Sequence, residues 1–545
     1  MTRYAMTVTP HSSLFIGGYA HAHGESDGDT ARDATSMLIP GSALKGALRE
    51  AAFRLVNAAG CGHETLRDLF GEAEEEGALR IGPLRPVEDA PDLSLRHHVS
   101  LQRATRQAAD QRLFQNRVTA AGYGLRFRGE LTTSRPLSGD EQGLLESARQ
   151  LTDQLGGGRG RGLGLVSIDL EQIPVPPFEK GGLGGISSEP GTIVLTLTAE
   201  EPLQLGIVKD LSNVATSKGY LDGSAVRGAV AAALERLGHH DALDVVLGGD
   251  HPAQFGDAHP GHLSAVPAPL TLREPKAGGA PSDDAVALCA HAAGGRPSSR
   301  RHGYRAAKGS FALDGGGWQE VTIERRMVTR TARNLVDGRA ADGLLFSLEV
   351  IEPHGLCFYV PVTGRPEQLE WVVQAAGADL FVGGTRSRGF GRLRLADVLT
   401  ESPLASLAER HQRWIDCLKT LDAQRPETTG ALLAVGPIAV DQARLLRAFE
   451  RHDLELIHGV SRRQAHGGWN RRKRLPREVG SCFVPGSTFI VQHRNGESAL
   501  DALAAIEAEG IGPGRPDGWG RLGSSPATPS TSIVSRRTKD DVAIT

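Results

Sequence analysis

The residues of this chain whose types and spacing suit chemistry occur in duplicate. Leu38-Ile-Pro-Gly-Ser-Ala-Leu-Lys-Gly-Ala-Leu-Arg49 returns as Tyr220-Leu-Asp-Gly-Ser-Ala-Val-Arg-Gly-Ala-Val230. Gly41, Ser42, Ala43, Lys45, Gly46 and Ala47 match Gly223, Ser224, Ala225, Arg227, Gly228 and Ala229 without a gap. Each copy predicts a turn feeding a helix, with the Gly permitting a tight backbone and Ser42 or Ser224 serving as the N-cap. Leu44, Leu48, Ala51, Ala52 and Leu55 follow at the three-to-four spacing of a buried helical face. The basic residue falls one turn after the Ser, where unpaired backbone N–H groups and the helix dipole favour a phosphate. A duplicated cap whose cation is merely solvated is the plainer alternative. Ser42-x-x-Lys45 also has the spacing of a serine acyl-transfer pair, but the matching S-D-N and K-T-G elements are absent. Arg227, the counterpart of Lys45, cannot act as a base.

A second repeat is made of glycine bends. Arg161-Gly-Leu-Gly164, Arg388-Gly-Phe-Gly391 and Asp517-Gly-Trp-Gly520 each precede a strand-like stretch, and Arg159 and Arg386 stand two residues upstream in the first two. Glycine lets backbone approach a ligand closely, and successive amides can form an anion nest. A tight helix-to-strand turn would explain one such bend. Three, two of them carrying paired arginines, favour a repeated phosphate-backbone site. None fits the phosphate loop or dinucleotide fingerprint of nucleotide enzymes, so a nucleotide hydrolase is excluded. The stretch 461–477 carries seven Lys or Arg residues, no acids and Trp469, which could stack a base. The alternative is a solvated loop. His251, Asp257, His259 and His262 could bind a metal, yet the surrounding Pro and Gly mark a plain loop.

The 545 residues predict three to four domains. The formal charge is −3, so any nucleic-acid site must be local. Five scattered cysteines with no C-x-x-C pair argue against a disulfide scaffold or structural zinc. The N-terminal stretch alternates like a strand and lacks a signal-peptide core, and no apolar run approaches the roughly 20 residues of a membrane span. A soluble cytoplasmic protein is expected, without a membrane partner.

The elements that must position these residues alternate as in a split βαβ, ferredoxin-like unit. Strands are expected at 4–17, near Leu79 and at 165–170, with helices after Gly41 and at about 140–155. Residues 97–129 alternate and carry His97, His98, Arg103, Arg106, Arg112 and Arg117. After a linker at 174–191 the programme restarts: a strand at 192–198, a loop at 205–219, the second anchor helix, an insertion-like stretch at 248–320, a helix ending near Gly377 and a strand at 393–395. A third segment has a helix at 404–422, a strand at 430–440 and the stretch Val484-Pro-Gly-Ser487, which echoes the helix start without its basic residue. The expected organisation is 1–173, linker 174–191, 192–400, a degenerate 401–523 and a disordered tail at 524–545. The fold class is α+β, with tandem ferredoxin-like or RRM-like domains.

With these motifs in hand, the sequence resembles the RAMP proteins of CRISPR effector complexes, type III in particular. The Ile-Pro-Gly-Ser-x-Leu-Lys-Gly start, the terminal glycine bend and Val99-Ser-Leu-Gln-Arg-Ala-Thr-Arg-Gln-Ala make residues 1–172 similar to the subunit that polymerises along the guide RNA. There the region of 97–129 forms a thumb-like hairpin that pries apart the guide–target duplex. Residues 190–523 resemble the larger RAMP subunit of subtype III-D through Leu221-Asp-Gly-Ser-Ala-Val-Arg-Gly, Phe255-Gly-Asp-Ala, Arg386-Ser-Arg-Gly-Phe-Gly and the closing Gly-Trp-Gly-Arg521. The combination suggests a fusion of two subunits. Asp222, where the family has Pro, is a departure.

The resemblance implies crRNA and target RNA as ligands and, as partners, other type III subunits, among them the large polymerase/cyclase-like subunit and further RAMP subunits. The RNA contacts expected are Ser42, Lys45, Arg49, Arg103, Arg106, Arg159, Arg161, Ser224, Arg227, Arg330, Arg333, Arg386, Arg388, Arg462, Arg463, Trp469, Arg471, Arg472 and Lys473. Such backbone subunits typically cut target RNA with an acid in the loop before the Ile-Pro-Gly-Ser turn, by metal-assisted attack of a ribose 2′-OH on the adjacent phosphate. That loop here offers Glu25, Asp27, Asp29 and Asp33, with His21 and His23 nearby. Asp27 is the first candidate, as catalytic acid and ligand of Mg²⁺ or Mn²⁺, and Asp29 the second. The second unit's corresponding loop has one acid, Asp210, in a non-cutting role. The alternatives are a polar loop rich in Asp because Asp suits turns, and a structural crRNA-binding subunit that does not cut.

Overall fold

The computed structural model describes residues 2–17, 29–32, 36–72, 75–88, 92–102, 104–119, 124–173, 190–208, 213–292, 303–314, 317–333, 340–400, 405–467, 469–470, 475–476 and 480–524. The expected linker core and the tail from 525 lie outside them. Among the described residues no helix is long and apolar enough to cross a membrane.

The first unit runs β1 (Arg3–Pro10), α1 (Gly41–Ala59), α2 (His63–Phe70), β2 (Leu79–Ile81), β3 (Arg85–Pro86), the hairpin β4 (Leu93–Leu101) and β5 (Ala108–Thr119), β6 (Phe127–Thr133), α3 (Gly139–Leu151) and β7 (Val166–Ile173). Its antiparallel sheet has the order β2-β6-β1-β7, the ferredoxin-like arrangement. Leu44, Leu48 and Ala52 turn one face of α1 onto Met6 and Val8 of β1, Phe127 and Leu131 of β6, and Leu145 of α3. Burying each of the larger side chains contributes about 1.5–3 kcal/mol. α3 opens with a capping box, Ser138 with Glu141.

The second unit repeats the plan with β8 (Gly191–Ala199), β9 (Gly206–Val208), β10 (Val214–Ser217), α4 (Gly223–Leu237), α5 (His240–Leu247) and β11 (Gln254–Phe255). An insertion follows: β12 (Val266–Pro267), β13 (Leu272–Pro275), β14 (Ser282–Asp283), α6 (Ala285–Ala292), β15 (Tyr304–Ala306), β16 (Ser310–Asp314) and β17 (Gly317–Val321). The hairpin β18 (Arg325–Arg333) and β19 (Ala340–Ile351) then leads to β20 (Cys357–Gly364), α7 (Pro366–Gly377), β21 (Leu380–Phe381) and β22 (Arg392–Leu399). The main sheet is β11-β20-β8-β22-β21, again antiparallel, and Ile193, Leu195 and Leu197 alternate inward from β8. Residues 205–219, expected as a loop, hold two short strands. β9 and β10 pair with each other and β10 with β19, so tertiary pairing overrides weak local propensity.

The third unit comprises α8 (Leu407–Lys419), β23 (Thr429–Ala434), α9 (Gln442–Arg451), β24 (Leu454–Val460), the short strands β25 (Arg463–His466), β26 (Trp469–Asn470), β27 (Leu475–Pro476) and β28 (Gly480–Phe483), then β29 (Thr488–His493), α10 (Leu500–Glu509) and β30 (Leu522–Ser524). Its sheet order β24-β29-β23-β30 is the same circuit. The mixed α+β fold with repeated antiparallel ferredoxin-like sheets is the one expected. Val484-Pro-Gly-Ser487 corrects the expected echo of a helix start. It is a turn into β29, closed by the Ser487 hydroxyl donating to the Val484 carbonyl at 2.8 Å. A Cβ on Gly486 would lie 2.3 Å from the Ala268 carbonyl oxygen, so packing on the insertion sets this glycine.

Candidate nucleic-acid interface

The two matched stretches do form matched helix starts, but the serines are not the caps. α1 is capped by Pro40 and α4 by Asp222, neither through its side chain, so Ser42 and Ser224 lie inside the first turn. The glycine explains the shift. A Cβ on Gly41 would lie 1.9 Å from the Ile81 carbonyl oxygen, and one on Gly223 2.0 Å from that of Phe255. Each helix begins one residue early so that bare backbone can sit on the end of the unit's second strand.

Beside the first helix start, cations gather from two units. Lys45 is only 7% exposed and donates from Nζ to the Leu79 carbonyl at 2.8 Å. Burial pushes its pKa down to about 7, with Arg388, Arg49 and Arg80 adding to the drop and Glu76 opposing it. Arg49 is lowered by burial as well, with Glu72 opposing and Arg388 adding, and its Nε is buried without a hydrogen-bond partner. Glu76 is shared with Arg386 at 3.4 Å and Arg80 at 3.9 Å. Arg388 comes from the second unit's glycine bend, which packs on β2 and α1. The same seam is fastened by Arg392, which meets Glu130 at 2.9 Å and Asp379 at 2.6 Å, and by Arg326, which donates to the Arg32 carbonyl at 3.0 Å.

The second helix start supplies its own acidic partners. The Gly223 amide donates to Asp257 Oδ1 at 2.8 Å, and burial holds that carboxyl well above its usual pKa, with Asp222 adding. Arg227 pairs with Asp517 of the third glycine bend at 3.2 Å. His259 instead bonds Ser310 at 2.7 Å and stacks on Tyr220. Asp257 and His259 thus serve separate local contacts.

The three glycine bends share one geometry. In each, a residue with positive φ (Gly158, Thr385, Gly514) leads a 3₁₀ turn (159–161, 386–388, 515–517), followed by a second positive-φ residue (Gly162, Gly389, Gly518). Gly164, Gly391 and Gly520 close them, with added Cβ atoms 2.0, 2.1 and 2.1 Å from the carbonyl oxygens of Leu155, Val382 and Ile511. Close backbone packing therefore accounts for these glycines before any ligand does. In the first bend Arg159 pairs with Glu50 at 3.2 Å, and Arg161 lies over the Phe114 ring at 5.2 Å. His98 stacks on the same ring at 5.1 Å, and its Nε2 is buried without a partner. Burial, then Arg161, lowers the His98 pKa. A cleft of about 520 Å³ opens here, lined by Phe15, His98, Phe114, Asn116 and the bend. Phe15 and Phe114 escaped the sequence analysis. The signal was present in the hairpin's alternation, because Phe114 faces His98 across β4 and β5.

Of the other expected residues, Arg106 is exposed at the hairpin tip with φ 57°, and Arg330 lies over Phe390 at 4.9 Å. Arg462 is exposed. Arg463 donates to Ser481 and to the Val440 carbonyl and covers Phe483. Trp469 and Arg333 are described through backbone alone. Arg103, Arg471, Arg472, Lys473, Asp27, Asp33, Asp210, Glu25, His21 and His23 lie outside the described residues. Asp29 accepts from the Thr30 amide at 2.9 Å and lies 3.5 Å from Arg117 and 3.6 Å from Arg32. Among the described residues no group of three His, Cys, Asp or Glu could hold a metal ion.

No curated protein matches this chain. The first unit, which carries the Pro-Gly-Ser helix start, the paired-strand hairpin and the glycine bend, matches the family model of the RAMP superfamily over residues 7–167.

Proposed function

We propose that the chain is a subunit of a type III RNA-guided CRISPR effector complex, a fusion of a backbone-type unit with a III-D-like partner, that grips crRNA at the seam between its first two units. The convergence of Lys45, Arg49 and Arg388 carries this reading. Like charges drawn together in a partly desolvated place repel one another, and an RNA phosphate would supply the missing anion. Backbone contacts of this type hold RNA without reading its sequence, which guide pairing supplies. The hairpin fits target strands. One face lines the cleft beside the Arg161 bend, and the other carries Leu95, Val99 and Leu113, the last 66% exposed, as an apolar wedge.

Binding of a short CRISPR transcript, titrated against salt, tests the reading. Arg388→Ala and Arg49→Ala should each weaken binding and lower the salt slope by about 1. An unchanged slope in the double variant would sink it.

Within the same reading, target cleavage by 2′-OH attack is assigned to Asp27, with Mg²⁺ or Mn²⁺. The described residues do not form a donor set for that ion. Asp29, tied to two guanidinium groups, suits loop positioning and favours the second reading, a non-cutting crRNA-binding subunit. Assembled complex with guide, target RNA and Mg²⁺ separates the two. Loss of cutting in Asp27→Ala supports the first, and full cutting in both Asp27→Ala and Asp29→Ala leaves the second.

A further inference from the structure

Two of the three glycine bends are docked, each on the unit before its own. Gly389 rests on the end of β2, where an added Cβ would lie 3.0 Å from the Ile81 carbonyl oxygen and 3.3 Å from the Pro83 nitrogen. Gly518 rests on the end of β11, where its Cβ would lie 2.6 Å from the Phe255 carbonyl oxygen and 3.2 Å from the Asp257 nitrogen. Those are the carbonyls that also receive Gly41 and Gly223. Each seat is thus a strand end, a following glycine (Gly82 or Gly256) and a helix-opening glycine. It is braced by a bridge, Ile39 to Leu84 in one case and Leu221 to Ala258 in the other. The remaining bend, Arg159–Arg161, has the same backbone geometry but, among the described residues, no seat. Gly162, at φ +77°, has nothing within 4 Å of its Cβ position, and neither has Gly160. Arg161 folds back over Phe114, which leaves exposed backbone facing outward.

We infer that the Gly160–Gly162 bend is a docking surface for a different protein of the same build, a RAMP-type subunit whose seat is unfilled. A second copy of this chain cannot serve. Its first seat holds its own Arg386–Arg388 bend and its second holds Arg515–Asp517. Among the described residues its third unit has no seat: α9 opens on Asp441-Gln442 without glycine, and the Asp441 side chain caps it by accepting from the Arg444 amide at 2.7 Å. Growth through this contact therefore adds at one end only, and the third unit ends the row. The inference does not depend on RNA being the ligand of the first seam.

The test is co-expression, without RNA, of the full chain with RAMP-type subunits of its own genome that carry both seat glycines and no downstream unit to fill the seat. The expected result is a one-to-one complex by light scattering. Gly162→Asn, which keeps the left-handed backbone but fills the contact, should weaken it about tenfold or more. Gly60→Asn, at the open C-cap of α1, should leave it unchanged. A bulky residue in place of the partner's strand-end glycine should abolish it. Absence of any such complex overturns the inference, as does a complex indifferent to Gly162→Asn. Self-association of the lone chain that Gly162→Asn relieves also overturns it. So does a Gly162→Asn defect confined to transcript binding.

Discussion

Lys45 lies at the first seam, and so does Glu201, whose Oε1 is 3.0 Å from where a Cβ on Gly82 would sit. Glu201 is buried with an Oε2 that has no hydrogen-bond partner, and burial raises its pKa to about 7 from 4.5. The folded state then holds a proton the unfolded chain has lost, so its contribution is full at low pH and falls away between about 4.5 and 7. Lys45 acts in the opposite window: between about 7 and 10.5 the unfolded chain binds the extra proton, and stability rises with pH. The ceilings are on the order of 3 kcal/mol for Glu201 and 5 kcal/mol for Lys45. Thermal melts of Glu201→Gln should therefore lose the fall below neutrality, and those of Lys45→Met the rise above it. Parallel melting curves for wild type and both variants across pH 5 to 9 would contradict these assignments. An arriving phosphate should raise the Lys45 pKa, so transcript affinity falls as pH climbs from 7 to 9 in wild type and not in Lys45→Met. Lys45 was visible in the sequence as a cation near a helix start, but its burial was not. Ser42 misled for a related reason: the helix start is decided by the Ile81 carbonyl, 40 positions away, whereas capping preference is a local property.

At the scale of elements, the glycine bend is the feature best announced by sequence, because its spacing recurs three times. What spacing could not reveal is which glycine is irreplaceable. Gly164→Ala or Gly391→Ala would force a Cβ into a carbonyl at about 2 Å on a left-handed backbone, and should cost about 3 kcal/mol or more. Gly160→Ala, with open space around it, should change stability by no more than about 0.5 kcal/mol. Chemical denaturation of the three variants checks this, and equal losses would show that packing does not set these positions. The β4–β5 hairpin announced itself by its bases, yet its two faces differ. His98 and Phe114 turn toward the bend, and Leu95, Val99 and Leu113 turn outward. By register His97 and Arg117 belong to that second face, so a reading weighted toward charge registers its bases and passes over its apolar residues.

At the scale of the whole molecule, the restart of the motif at Leu221 made the second unit legible, and alternation made its sheet so. The seams were not legible, because their ion pairs join residues far apart in sequence, such as Arg227 with Asp517 and Arg386 with Glu76. Local patterns carry no trace of such pairs. The Arg227–Asp517 contact predicts a compensating exchange. Arg227→Asp or Asp517→Arg alone should loosen the second seam by about 1–2 kcal/mol, and the double exchange should recover much of it. Hydrogen exchange at α4 and β11 reports the loosening, and additive losses in the double variant would deny the coupling.

Asp257 has a consequence that reaches beyond its own hydrogen bond. A carboxyl already seated on the Gly223 amide is a stopper, whereas among the described residues the equivalent entrance beside Lys45 has none. Two otherwise twin doorways thereby become unlike, one shut from within and the other left ajar. On the proposed reading, an RNA strand laid along the molecule drops anchor in a single phase, and every nucleotide downstream is counted from that mooring.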